Sequence, residues 1–95
     1  MEKIKCAAIK YRLISEPETD KIVGGYDHAY CMDYFRLAEI YPNKRIEAAE
    51  MEGFLTTSDR FVDRYEAYEI ALKAGQINFE DENHILKSYN VNYAT

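Results

Sequence analysis

Tryptophan is absent, and proline, cysteine and glycine are scarce, at two, two and four residues in 95. Cys6 and Cys31 stand far apart with no CxxC partner, which excludes a disulfide framework and a zinc ribbon. Each reads as a small buried hydrophobe. No apolar run reaches transmembrane length, and none of signal-peptide type follows Met1, so the expectation is a protein that stays off the membrane, in the cytoplasm. Cation is the minority charge: 12 Lys and Arg against 17 Asp and Glu leave a formal net charge of −5. That argues against a DNA or RNA polymer as partner, because such binding rests on neutralising many phosphates. GxGxxG, P-loop, GxSxG and HExxH motifs are all missing, so the sequence gives no reason to expect an enzyme, a cofactor or a metal.

What the chain does have is an apolar fraction of 47% and nine tyrosines. The first makes a folded domain the expectation. The tyrosines suit a wet pocket or a subunit contact, since each offers an apolar ring and a polar tip. Residues 1–95 read as one domain, small enough that oligomerisation is a common remedy for a modest core.

The best-marked stretch is EGFLTTSDRFVDRYEAYEIALKAGQI, residues 52–77. Gly53-Phe54-Leu55 and Arg60-Phe61-Val62 flank the turn residues Thr56 to Asp59, predicting a β-hairpin. Asp63 is placed to cap a following helix, with Glu66 three residues on in capping-box position. Ala67, Ile70, Ala71 and Ala74 recur at helical spacing, and Gly75 closes the helix.

Elsewhere, residues 3–14 read as a long strand. Ile4, Cys6 and Ala8 fall on one face and Ala7, Ile9, Tyr11 and Leu13 on the other, so the strand is expected to be central or covered on both sides. Residues 15–20 (SEPETD) read as a polar loop and residues 21–25 as a short second strand. Asp27 caps a helix from His28 that should run to about Ile40, where Pro42 constrains Tyr41. Residues 46–55 are expected as a third strand, residues 78–83 as an acidic loop, residues 84–91 as a last strand or ordered tail, and residues 90–95 as loose. Strand, strand, helix, strand, strand, helix, strand predicts an α+β fold, a small antiparallel sheet with two helices packed on it.

For a site, Arg60 and Arg64 flank a helix N-terminus, a plausible place for an anion. The alternative is that both are solvated, with their stems over aromatic rings. Phe54, Arg60, Asp63 and Arg64 together suit a nucleotide: the ring stacks a base, the arginines meet phosphate, and Asp63 accepts from a sugar hydroxyl. Against this, an aromatic on a strand is usually core and Asp63 is committed to its cap. His28 and His84 are the only histidines, without ligand spacing. Glu47, Glu50 and Glu52 form an acidic ladder that reads as a solvated strand face.

The run EGFLTTSDRFVDRYEAYEIALKAGQI, the opening KIKCAAIKY and the GGYDH step into the first helix resemble the small phage proteins that counter Thoeris immunity by sequestration, the first-described anti-defence type. The resemblance implies a non-catalytic protein that binds a cyclic ADP-ribose signal and holds it intact, in some members with cyclic oligonucleotides at a separate site, and that assembles as a homodimer or larger. It implies Phe54 stacking the adenine, Arg60, Asp63 and Arg64 as the polar wall, and His28 and Lys87 as further contacts. This chain departs from the family at Asp27, where a basic residue is frequent, and at Asp63, where Asn is. Two other readings stand beside it: a phage protein that binds and inhibits a host protein through its tyrosines, and a small hydrolase of the same signal.

Overall fold

In a computed structural model of the protein, residues 1–77 and 82–94 are described. β1 (Ile4–Leu13) and β2 (Glu16–Gly25) form a long hairpin, followed by α1 (His28–Leu37), β3 (Met51–Thr56), β4 (Phe61–Val62) and α2 (Arg64–Lys73). The sheet order is β2-β1-β3-β4, antiparallel throughout. This is the α+β arrangement that the pattern of elements predicts.

Both helices cover one sheet face. Ala7, Phe54 and Val62 stand in register there and pack with Ala67, Tyr68 and Ala71 of α2. Two residues along β1, Ile9 and Tyr11 join Val23 and pack with Cys31 and Phe35 of α1. The Tyr11 ring meets Phe35 edge-on at 4.8 Å between centroids.

Ile4 does not share a face with Cys6 and Ala8, as simple alternation predicts. The register slips between Ile4 and Cys6, and this bulge turns Ile4 into the core beside Ala7. Of the two alternatives for β1, central or covered on both faces, the structure shows the first: β1 is an inner strand, paired with β2 and β3. Among the described elements both helices lie on one side, and the other presents Ile22 and Met51, each 44% exposed, with half-buried Cys6, Leu55 and Phe61.

Other boundaries move for local reasons. The polar SEPETD segment is strand, not loop, because the chain reverses tightly at Ile14 and Ser15 and the exposed edge strand β2 tolerates polar residues and Pro17. α1 ends at Leu37, short of Ile40. Glu39 takes φ +58°, Ile40 N donates to Phe35 O at 2.7 Å and Glu39 N to Arg36 O at 3.2 Å, a Schellman closure built without glycine. Residues 47–49 form a 3-10 turn, so β3 begins only at Met51. Helix formers Glu47 and Ala48 outweigh the alternation there.

Of the two alternatives for residues 84–91 the structure shows the ordered tail and not the strand, and residues 90–94 are held rather than loose. The segment is a strap with one 3-10 turn (Ser88–Asn90), pinned at separate points: Leu86 N donates to Arg64 O, Asn92 N to Gln76 O and Ala94 N to Ile4 O. Gln76, 5% exposed, is the clamp. Its side chain accepts from Ile4 N at 2.8 Å and donates to Ile4 O at 2.8 Å and Asn92 O at 3.0 Å. The expected acidic loop lies mostly outside the described residues.

Candidate binding cleft

Asp63 and Gly75 do what the sequence predicts. Asp63 Oδ1 accepts from Tyr65 N at 3.0 Å and Glu66 N at 2.8 Å, and Gly75 takes φ +70° after the helix. The carboxylate is therefore occupied by its cap. Glu66 turns instead to Arg60, whose Nη1 donates to Glu66 Oε2 at 2.6 Å. The rest of the Arg60 guanidinium grips Glu2, with Nη2 to Oε1 at 2.8 Å and Nε to Oε2 at 3.2 Å. Hydrogen bonds from Arg60 and then Thr56 hold the Glu2 carboxyl at about 2.

Arg64 points elsewhere. Its Nη2 meets Glu52 and its Nη1 donates to Leu86 O at 3.1 Å. Both arginines are thus neutralised by carboxylates, in separate ion pairs. Phe54 is fully buried, on the helix-facing side of β3 over the small Ala7. Its ring is not presented to a ligand. The acidic ladder is dispersed: Glu50 serves Arg45 and Glu52 serves Arg64.

The structure offers a different concavity, with His28 in it. The Gly24-Gly25 step brings β2 into α1, and a Cβ on Gly25 would stand 2.6 Å from the Tyr30 ring, so only glycine fits beneath that ring. Asp27 caps α1, its Oδ1 accepting from Tyr30 N at 2.7 Å. His28 follows at the first helical position, 9% exposed, with Nε2 2.8 Å from Gly53 O. A carbonyl only accepts, so Nε2 carries the proton and Nδ1 of the neutral ring keeps its lone pair. The imidazole stands edge-on to Phe54 at 5.2 Å. Phe54 therefore supports the site from beneath.

The strap supplies the opposite wall. Ser88, Tyr89, Val91 and Tyr93 face Tyr26, Asp27, His28 and Ala29 across a cleft of about 340 Å³. Tyr26 and Tyr89 are 76% and 78% exposed. Tyr93 packs edge-on to Tyr26 at 6.2 Å, and its hydroxyl donates to Ser88 O at 3.4 Å. Burial pushes that hydroxyl well above the usual tyrosine range. Lys87 adjoins the strap wall, half-buried, next to Ser88. Of the six residues picked out in the sequence, His28 lines this cleft and Lys87 neighbours it, while Phe54, Arg60, Asp63 and Arg64 lie outside its lining. The tyrosines were legible only as a surplus of their type, because Tyr26 and Tyr89 are 63 positions apart and only the strap brings them together.

Cys31 does not form a nucleophile pair with His28. Its Sγ is 3.8 Å from Ala7 O and burial pushes its thiol up to about 11, so it stays protonated near neutrality. The described residues hold no cluster of three or more His, Cys, Asp or Glu able to take a metal, and no described helix is long and apolar enough to cross a membrane. What the cleft can do is hold a planar group against tyrosine rings, beside one imidazole acceptor and the amide end of a helix.

Fold and cleft thus define a small two-layer α+β protein with an aromatic cleft where a helix begins. The chain belongs to the phage T4 y16D protein family, which it matches over residues 3–91. No curated protein and no solved structure matches it.

Proposed function

We propose that this phage protein is an anti-defence sponge. It binds a cyclic nucleotide immune signal of the cyclic ADP-ribose type, keeps it intact, and so starves the effector downstream, in the cytoplasm of the infected bacterium. The observation that carries the reading is the cleft at the start of α1, where His28 of the GGYDH step meets tyrosines from both ends of the chain. Membership of a phage family is consistent with it. The binding residues of this reading are Tyr26, His28 and Tyr89, with Lys87 at the margin, and Phe54 acts through His28. Arg60 and Arg64 enter only if a ligand displaces their carboxylate partners. A release assay tests it: incubate the protein with cyclic ADP-ribose isomers and cyclic di- and trinucleotides, remove unbound material, denature by heat, and identify what comes out by mass spectrometry. An intact nucleotide is expected. A cleaved product would make the protein an enzyme, and nothing retained would remove the sponge reading.

The uncovered sheet face favours a protein contact as well. Under the sponge reading that contact is with a second copy; under the alternative it is with a host protein. Met51→Lys places a second charge beside Lys10 on that face. It should dissociate the oligomer in sedimentation; a wild-type protein that sediments as a monomer leaves the face to a host protein.

A further inference from the structure

The geometry points to His28 Nδ1 as the atom that reads the ligand. It accepts a hydrogen bond from an amino group on a planar heteroaromatic ring, a 6-aminopurine or 4-aminopyrimidine, which lies in the cleft against Tyr26 and Tyr89 with its phosphates left outside. This rests on the nucleotide reading of the cleft and adds which part of the ligand enters it.

Three observations converge. Nε2 is committed to Gly53 O at 2.8 Å, which fixes the tautomer and leaves Nδ1 an acceptor. Nδ1 has no partner among the described residues, although His28 is only 9% exposed. Every fully buried side-chain nitrogen and oxygen among them is satisfied, so Nδ1 is reached from solvent, and the solvent that His28 faces is the cleft. Lastly, no lysine or arginine lines the cleft, and its one formal charge is the carboxylate of Asp27. A phosphate placed there would sit beside a like charge with no side-chain cation to offset it. A neutral ring has no such cost and gains the tyrosine faces. An amino group on such a ring adjoins a ring nitrogen that accepts, and the first-turn amides of α1 are donors that an ideal helix leaves over.

The test is a titration of the whole protein, carrying 15N-labelled histidine, with adenosine, purine riboside (the same nucleoside without the amino group) and AMP, followed by NMR. Adenosine should bind roughly three- to tenfold tighter than purine riboside, the worth of one neutral hydrogen bond. The Nδ1 resonance of His28 should move with adenosine and stay put with purine riboside, and AMP should bind no tighter than adenosine. Tyr89→Ala, far exposed and outside the core, should weaken adenosine by roughly fivefold or more through lost stacking. His28→Ala risks the fold by orphaning Gly53 O, which is why the resonance of the intact histidine is the readout. Equal affinities for the two nucleosides, an unmoved Nδ1 at saturation, AMP bound tenfold tighter, or no adenosine binding would each overturn the inference. The two readings fail separately. A cyclic ADP-ribose isomer retained with Nδ1 unmoved leaves capture standing and removes the role of His28. Adenosine selected over purine riboside with no cyclic nucleotide retained does the reverse.

Discussion

Gln76 shows how much one side chain can hold. Its amide joins the first residue of the central strand to the strap, using both oxygen and nitrogen in a buried place. Gln76→Ala would take the partner from Ile4 N and leave Ile4 O with Ala94 N alone, and should cost about 1–3 kcal/mol, measured by urea unfolding. The strap should also become sensitive to protease while α2 stays protected; unchanged protection would mean that the strap is held by other contacts. Glu39 is the opposite case, a non-glycine residue at φ +58°. Glu39→Gly should stabilise by about 0.5–1 kcal/mol, because relief of the left-handed strain exceeds the entropy that glycine adds to the unfolded chain. A lower melting temperature in the variant would contradict that. Sequence reading caught Asp63, Asp27 and Gly75, since a cap acts on its immediate neighbours. It could not catch Gln76, whose partners are 72 and 16 positions away. It placed Phe54 in a site, whereas pairing with Ala7 and Val62 puts the ring in the core.

Among elements, the β3–β4 hairpin and α2 form the best-specified unit. Gly53 sits beneath the Phe61 ring, and a Cβ there would come within 2.5 Å of that ring and 2.3 Å of Val62 O. Gly53→Ala should therefore splay the hairpin and carry the bond to His28 Nε2 with it. Loss of well over 1 kcal/mol is expected, the range for overpacking at roughly 1–3 kcal/mol, and the His28 side-chain resonances should shift. Unshifted resonances would separate the hairpin from the cleft. Asp63→Ala removes two cap hydrogen bonds and should cost about 1 kcal/mol, or roughly 4–8 °C in melting temperature. Element type was readable from periodicity wherever local chemistry agreed with it. The misreading fell at β2, where a tight reversal turned a polar segment into an edge strand; at the strap the choice between strand and ordered tail stayed open, because single hydrogen bonds fix its position and leave no periodic trace.

For the molecule as a whole, stability should form a plateau with an acid and an alkaline shoulder. Glu2 is held down to about 2 by Arg60, Asp59 is lowered by Lys5 and Asp20 by Arg12. Groups with depressed values stabilise above their unfolded pKa and lose that contribution as pH falls through the folded one. The acid shoulder should therefore run from about 4.5 down to about 2. On the other side, burial raises Cys31 to about 11 from 9.0 and also raises Cys6, Tyr11 and Tyr93. The unfolded chain then releases protons that the folded one keeps, so stability should fall as pH climbs above about 9. Urea midpoints across pH would test both. Arg60→Gln should flatten the acid shoulder and Cys31→Ala the alkaline one; a variant that keeps its shoulder would transfer the effect to other groups.

The cleft has one wall from residues 26–29 and the other from residues 88–93. Bringing these together closes a loop of some sixty residues, whereas the β1–β2 hairpin closes a tight one. Loop-closure entropy grows with length, so the local hairpin is expected to form before the cleft is completed. A chain in which β1, β2 and α1 have already assembled still has no cavity. Any molecule that fits the cleft then works as a clasp: it binds only the finished form, slows the opening of the strap, and makes apparent stability rise with its own concentration.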